Sequence, residues 1–311
     1  MNKKILVTGG AGYIGSMLVT ELVKLGYNVT VIDRFDFEKN SLNHLFFYKN
    51  FTFIEKDLLK IKKKEINYKK FNFIIPLAAL VGAPLCKKKP LEAKKINYKW
   101  VKNLLKNISE KQKIIYPTTN SGYGVGEKDR FCDENSKLNP ISLYAVTKMK
   151  AENEILKHQN SISLRLATVF GSSYRMRTDL IVNNFVLKGI KNKKLELFEP
   201  HFRRNFIHIK DVVNAIIFSI KNFNKIKNNI FNLGLSNANI TKMELAKKIK
   251  SFLPNLKIKT IVNKKDPDQR DYFVSNKKIE SKGFKAKIDL DTGIQELIKL
   301  YNVNNVFKNN Y

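Results

Sequence analysis

Three apolar residues, Ile5 to Val7, stop at Thr8 and the glycine-rich stretch Gly9-Gly10-Ala11-Gly12, after which apolar positions recur at Ile14, Leu18, Leu22 and Leu25 before Gly26. A short unbroken run followed by helical spacing predicts a buried strand, a glycine turn and an amphipathic helix ended by Gly26. A second run, Val29 to Ile32, predicts another strand closed by Asp33. Similar apolar runs precede "EKDL" and fill "FIIPLAALVG", "KIIYPTT" and "SISLRL", with helical spacing between them. Strands alternating with helices predict an α/β fold, a doubly wound parallel sheet. Near the C-terminus, amphipathic helices are expected over residues 241–253 and 292–301, building a smaller C-terminal α/β unit. The expected division is 1–168 plus 205–233 for the large unit and 169–204 plus 234–311 for the small one.

Composition narrows the class. A chain of 311 residues with 43% hydrophobic content can bury a full core. Its two cysteines, Cys86 and Cys132, have no metal-like spacing, so no metal is expected and a reducing cytoplasm is the expected setting. The apolar run at the start stops within four residues, and the longest one, residues 73–86, is too short for a bilayer and holds two prolines. Neither secretion nor a membrane span is expected. The net charge of +31 invites a nucleic-acid reading, yet 50 of the 58 cations are lysines spread along the whole chain. Salt-sensitive RNA binding on this scaffold is therefore the remoter alternative. Five of the eight arginines fall between Arg165 and Arg204, and another is Arg270. Planar guanidiniums suit bidentate recognition of an oxyanion.

The first strand, turn and helix carry chemistry. Glycines there allow backbone N–H groups to approach a pyrophosphate at the helix N-terminus, and a carboxylate at Asp33 can take two ribose hydroxyls. That carboxylate would repel a 2′-phosphate, so NAD is expected rather than NADP; Arg34 is the discordant neighbour. The stretch "YPTTNSGYG", residues 116–124, ends an apolar run at Pro117 and then offers four hydroxyls, an amide and two glycines. By itself it reads equally as a polar loop or as a strand presenting groups to a ligand. Two Tyr/Lys pairs lie at i and i+4, Tyr98/Lys102 and Tyr144/Lys148. In a chain this rich in lysine such pairs also arise by chance.

These landmarks, with the triplet Gly9, Gly12 and Gly15, resemble the extended short-chain dehydrogenase/reductase family, the NAD-dependent epimerase/dehydratase group. The resemblance implies a Rossmann-type NAD domain and a nucleotide-sugar-binding domain, and it implies roles for individual residues. Gly9, Gly12, Tyr13, Ile14 and Gly15 would meet the cofactor pyrophosphate and Asp33 its ribose. Asp57 and Leu58 would meet the adenine, and Leu77, Ala78 and Ala79 the pyrophosphate and nicotinamide ribose. Asn97 would be structural. Tyr144 and Lys148 would be the catalytic pair, with Lys148 lowering the Tyr144 pKa and binding the nicotinamide ribose. Thr119, 25 residues before Tyr144, would hold the substrate hydroxyl, with Asn120 and Ser121 beside it. Asn183 would touch the sugar or diphosphate, and Arg204 and Arg270 would clamp the diphosphate from opposite sides. Arg175 and Arg177 are open between surface cations and that phosphate site; His208 is expected to be structural. Dimerisation, through the helix after Pro90 and the helix of Tyr144, is a further expectation.

Members that remove water from the sugar carry Asp-Glu after the hydroxyl residue, as acid and base. Asn120 and Ser121 cannot do that work at ordinary pKa values. Oxidation at C4 of a nucleotide-diphosphate sugar is expected, with C4 epimerisation by the same residues as the alternative. The closest resemblance is to members that oxidise a GDP-heptose for surface polysaccharides.

Overall fold

The computed structural model describes residues 3–37, 40–62, 65–126, 130–262 and 269–303. The start of the stretch leading to Arg270, residues 266–268, and the last eight residues of the expected small unit lie outside them.

Seven parallel strands form the large sheet. In chain order they are Lys4–Thr8, Asn28–Asp33, Phe51–Glu55, Phe73–Pro76, Lys113–Thr119, Ser161–Leu166 and Asn229–Leu233. Across the sheet the seventh lies at one edge, followed by the sixth, fifth, fourth, first, second and third. The chain builds outward from the first strand to the third, then returns to place the fourth on the other side of the first. This Rossmann-type order leaves a crevice above the carboxyl ends of the first and fourth strands, where the winding reverses.

Both faces of the sheet are covered, as a parallel sheet requires. Side chains alternate along the first strand, so Ile5 and Val7 enter one core and Leu6 the other. Helix Tyr13–Lys24 supplies Leu18 and Leu22 to the first core, together with Val212 and Ile216 of helix Ile209–Lys221. Trp100 and Leu104, with Ala151 and Ile155 of helix Leu143–Ile155, fill the second. Leu25, counted on the first helix's apolar face, is instead its C-cap and is 41% exposed. Gly26 follows with φ of 81°, a conformation that ends a helix without a Cβ clash.

Smaller sheets carry the chain beyond the large one. Strand Arg203–His208 pairs in parallel with Thr168–Phe170 and antiparallel with Asn239–Thr241. Lys194–Leu197 pairs with Lys257–Thr260, and Phe131–Cys132 with Phe273–Val274. The residues expected to join the two units, 168/169 and 204/205, therefore lie inside paired strands, so the crossing is made by hydrogen-bonded backbone. Thr241 caps helix Lys242–Phe252 in a capping box with Glu244.

His208 ends its strand and caps the following helix. Its Nε2 lies 2.7 Å from Glu296 Oε2, which also accepts from the Ser172 N–H at 3.0 Å. Burial alone would raise the Glu296 carboxyl, but His208 and Ser172 outweigh it and hold the group down to about 2. A depressed carboxyl stabilises the fold above its ordinary pKa of 4.5 and loses that contribution as pH falls toward 2. Glu296→Gln is expected to remove about 2–3 kcal/mol at neutral pH and to flatten the acid-unfolding curve in that window, as followed by urea titrations. An unchanged curve would show the pair to be inert.

Candidate active site

The loop after the first strand is built around close approaches. Gly9 has φ of 73°, and a Cβ there would sit 2.5 Å from the Ala78 nitrogen. A Cβ on Gly15 would sit 2.3 Å from the Gly9 carbonyl oxygen. No side chain caps helix Tyr13–Lys24, whose N-cap is Gly12, so its first-turn N–H groups face the crevice without a side-chain acceptor. That is the environment a pyrophosphate needs. Asp33 closes the second strand and reaches back to this loop, accepting from the Ala11 N–H at 2.9 Å and the Phe35 N–H at 3.0 Å. Burial raises the pKa of Asp33, and these N–H groups oppose the rise. Arg34 is engaged by Asp36, by Glu92 at 2.8 Å and by Asp57 at 3.8 Å. The cation that spoke for a 2′-phosphate is thus already surrounded by carboxylates.

The remaining cofactor candidates gather at the same crevice. Leu77 donates its N–H to the Thr8 carbonyl at 2.9 Å, and Ala78 packs on Gly9. Ala79 is half-buried beside it. Leu58 is buried, and Asp57 accepts from the Leu59 N–H at 2.9 Å. Ile14 packs against the core, and the buried Tyr13 donates its hydroxyl to the Gly171 carbonyl at 2.7 Å. NAD fits these residues: the glycine cradle leaves room that any Cβ would fill, and a carboxylate stands at the ribose end. Gly15→Ala is expected to weaken NADH binding at least about tenfold in a fluorescence titration, because the methyl group displaces the loop. A variant that binds NADH as tightly as wild type would count against the cradle.

Above the fifth strand, Thr119, Ser121 and Tyr144 come together. Thr119 caps a short turn, Asn120–Tyr123, by accepting from the Ser121 N–H at 3.1 Å. The two hydroxyl oxygens of Thr119 and Ser121 lie 2.8 Å apart. Asn120 is 1% exposed, and both polar atoms of its amide are buried without a protein partner. A buried amide left unpaired costs about 1–3 kcal/mol, which a bound ligand can recover. Gly122 makes the turn possible, since a Cβ there would lie 2.3 Å from the Met149 sulfur.

Tyr144 sits in the first turn of helix Leu143–Ile155, which Ser142 caps through the Ala145 N–H. Asn97, in the π-helical turn Lys95–Lys99, ties this helix to the fourth strand's loop. Its amide bonds the Leu80 N–H at 2.8 Å, the Leu80 carbonyl at 2.9 Å and the Thr147 hydroxyl at 3.3 Å. Burial pushes the Tyr144 phenol up to about 12; Arg270, Arg177 and the Thr119 hydroxyl pull it down, and Cys86 pushes it up. Lys148 is buried, its Nζ donates to the Pro117 carbonyl at 2.9 Å, and it lies 4.0 Å from the centre of the Tyr116 ring. Desolvation lowers its pKa to about 7, against the pull of Glu152. Lys148 thus turns to the strand end, while Arg270 and Arg177 are cations that favour the ionised Tyr144 phenol.

Three further expectations change. Asn183 is fully buried, accepting from the Gly171 N–H at 3.1 Å and donating to the Arg177 carbonyl at 2.9 Å. It secures residues 171–177 beside Tyr13 of the first helix. Arg204 is 3% exposed and donates to the Arg203 carbonyl at 2.8 Å and to the Arg270 carbonyl. The two arginines are therefore neighbours, with Arg204 supporting the backbone that carries Arg270, and they do not oppose each other across a cleft. Arg165 finds its oxyanion inside the protein, in Glu152 at 2.7 Å. Sequence reasoning left Arg177 open and missed Cys86. Their influence on Tyr144 is a product of folding, and no local spacing announces it.

The chain matches the sequence profile of the family described as NAD dependent epimerase/dehydratase over residues 5–234. UDP-glucuronic acid decarboxylase 1 of Danio rerio is 27% identical over 314 residues, covering 96% of this chain and 72% of that protein. The fold is similar to that of UDP-glucose 4-epimerase from Thermotoga maritima, with a TM-score of 0.85, 24% identity, and coverage of 97% of this chain and 100% of the other. It is also similar to UDP-glucuronic acid 4-epimerase from Bacillus cereus, solved with UDP-glucuronic acid and NAD, with a TM-score of 0.83, 23% identity, and coverage of 96% and 100%.

Proposed function

Because this chain belongs to the NAD dependent epimerase/dehydratase family, whose members use NAD, we propose that it oxidises the C4 hydroxyl of a nucleotide-diphosphate sugar to a ketone. The observation that carries this reading is the gathering of Thr119 and Tyr144 above the fifth strand with no acid pair at Asn120 and Ser121. Oxidation breaks the C4–H and O–H bonds and forms the carbonyl. Bound NAD supplies the acceptor for the hydride. Tyr144 Oη takes the hydroxyl proton; Thr119, the residue expected to hold that hydroxyl, holds the phenol instead, and Arg270 holds the diphosphate. Buried Lys148 donates to the Pro117 carbonyl at the end of the fifth strand, one turn along the same helix from Tyr144.

The sugar we assign is a GDP-heptose whose 4-keto product feeds surface-polysaccharide biosynthesis. The support is resemblance in "IIPLAALVGAPLCKKKP", "YPTTNSGYGVGEKD", "RLATVFG", "FRRNFIHIKDVV" and "RDYFVSN". A C4 epimerase is the second reading, favoured by the two structurally similar epimerases. Incubation with GDP-heptose, GDP-mannose and UDP-glucose, with products read by NMR, separates the two. A 4-keto sugar with matching NADH supports oxidation; an inverted sugar without net NADH overturns it in favour of epimerisation.

A further inference from the structure

Arg270, 149 residues after Ser121 in the chain, donates through Nη1 to the Ser121 hydroxyl oxygen. A guanidinium has donors only, so the Ser121 oxygen must accept there and its own proton must point elsewhere. Among the described residues the Thr119 oxygen is an acceptor in reach, 2.8 Å away, and it also accepts from the Ser121 N–H at 3.1 Å. With two bonds accepted, the Thr119 oxygen is left to donate its own proton, and Tyr144 faces it. The hydroxyls are almost wholly buried, Thr119 at 7% and Ser121 at 2% exposure, so water does not scramble the order.

The support behind Arg270 is equally defined. Arg204 donates to its carbonyl, Arg203 pairs with Asp271 at 2.9 Å, and Asp271 bridges to Val125. We infer that Ser121 and Arg270 are positioning residues that form a one-directional relay, from the Arg270 guanidinium through the Ser121 and Thr119 hydroxyls to the phenolate oxygen of Tyr144.

The relay deepens the proposed function and rests on it for its purpose: the arginine assigned to the substrate's diphosphate also prepares the base. The groups facing Tyr144 agree with this direction. Arg270 is the leading cation, Arg177 adds to it, and Cys86 from helix Ala83–Lys88 opposes. Tyr116 on the fifth strand faces Tyr144 as well, and Lys148 on the same helix turns to Pro117.

The test uses the full-length NAD-loaded protein. Subtracting the ultraviolet pH titration of Tyr144→Phe from that of wild type isolates Tyr144 among 12 tyrosines. Ser121→Ala is expected to delay the onset of that ionisation to higher pH, lower kcat/KM about tenfold at neutral pH and shift its acid limb upward. Ser121→Thr, which keeps the hydroxyl, is expected to restore both. Should Ser121→Ala not fold, Ser121→Gly removes the same hydroxyl and is expected to move the ionisation the same way, whereas Arg270→Gln would also remove a charge that acts on Tyr144 directly. A Tyr144 titration unmoved in either variant, or activity lost without any shift of the pH profile, overturns the relay. The titration needs no substrate: failure of wild type to oxidise any nucleotide sugar would remove the proposed function, while the ionisation shift would still decide the relay.

Discussion

Tyr144→Phe is expected to keep NAD bound while lowering kcat by about 10²- to 10⁴-fold, the usual range for loss of a positioned acid–base group. The substitution removes one oxygen from a half-buried ring and leaves the packing against Leu80, Cys86 and Ala93 intact. Binding and catalysis should therefore separate, with NADH titrations unchanged and NADH formation from the sugar nearly gone. The pH dependence follows from the raised phenol. With burial pushing Tyr144 up to about 12, wild-type activity should climb with pH through the neutral range, since the phenolate fraction grows tenfold per unit below the pKa. Tyr144→Phe should show no such climb. A variant retaining activity within about tenfold of wild type, with the same pH profile, would remove Tyr144 from the chemistry.

Glu152→Ala is expected to produce the largest loss of stability. Glu152 lies on the helix of Tyr144, is fully buried, and takes a forked contact from Arg165 on the sixth strand, at 3.1 Å from Nε and 2.7 Å from Nη2. Its second oxygen accepts from the Ser163 hydroxyl at 2.6 Å. Arg165 continues the network to the Tyr123 hydroxyl at 3.0 Å, which donates to Asn232 at 2.7 Å. Removing the carboxylate strands a buried guanidinium, a change that costs about 3–5 kcal/mol. Replacing both partners with methionine should recover much of that loss, because no charge is then left unpaired in the core. Urea unfolding of the two variants tests this. A loss below about 1 kcal/mol for Glu152→Ala would mean that water reaches the pair. The network also joins the helix of Tyr144 to the strand beside Thr119, so Glu152→Ala should lower kcat as well as the unfolding midpoint.

Much of this molecule is written locally. The first strand, glycine turn, helix and second strand are legible because each depends on residues within a few positions: apolar periodicity, a glycine with positive φ, an acid at a strand end. Tyr144 and Lys148 are legible for the same reason, since four residues bring them to one face of one helix. The absent acid pair at Asn120 and Ser121 needed only the residue types. What lay beyond reach was the partner of each buried polar group. Tyr13 and Gly171 are 158 residues apart, Arg204 and Arg270 are 66 apart, and Arg270 reaches Ser121 across 149. Composition marked the arginines as oxyanion binders, yet Arg165 serves a carboxylate of its own core and Arg204 serves two backbone carbonyls. The same side-chain chemistry suits a ligand or the protein itself, and only the fold brings one of them near. The sequence by itself determined the strand order's local units, the cofactor turn and the placing of Tyr144 and Lys148 four residues apart on one helix. Tertiary structure decided which buried groups lie beside Tyr144 and which partners the arginines take, because charge and hydrogen bonding act over a few ångströms of space, whatever the distance along the chain.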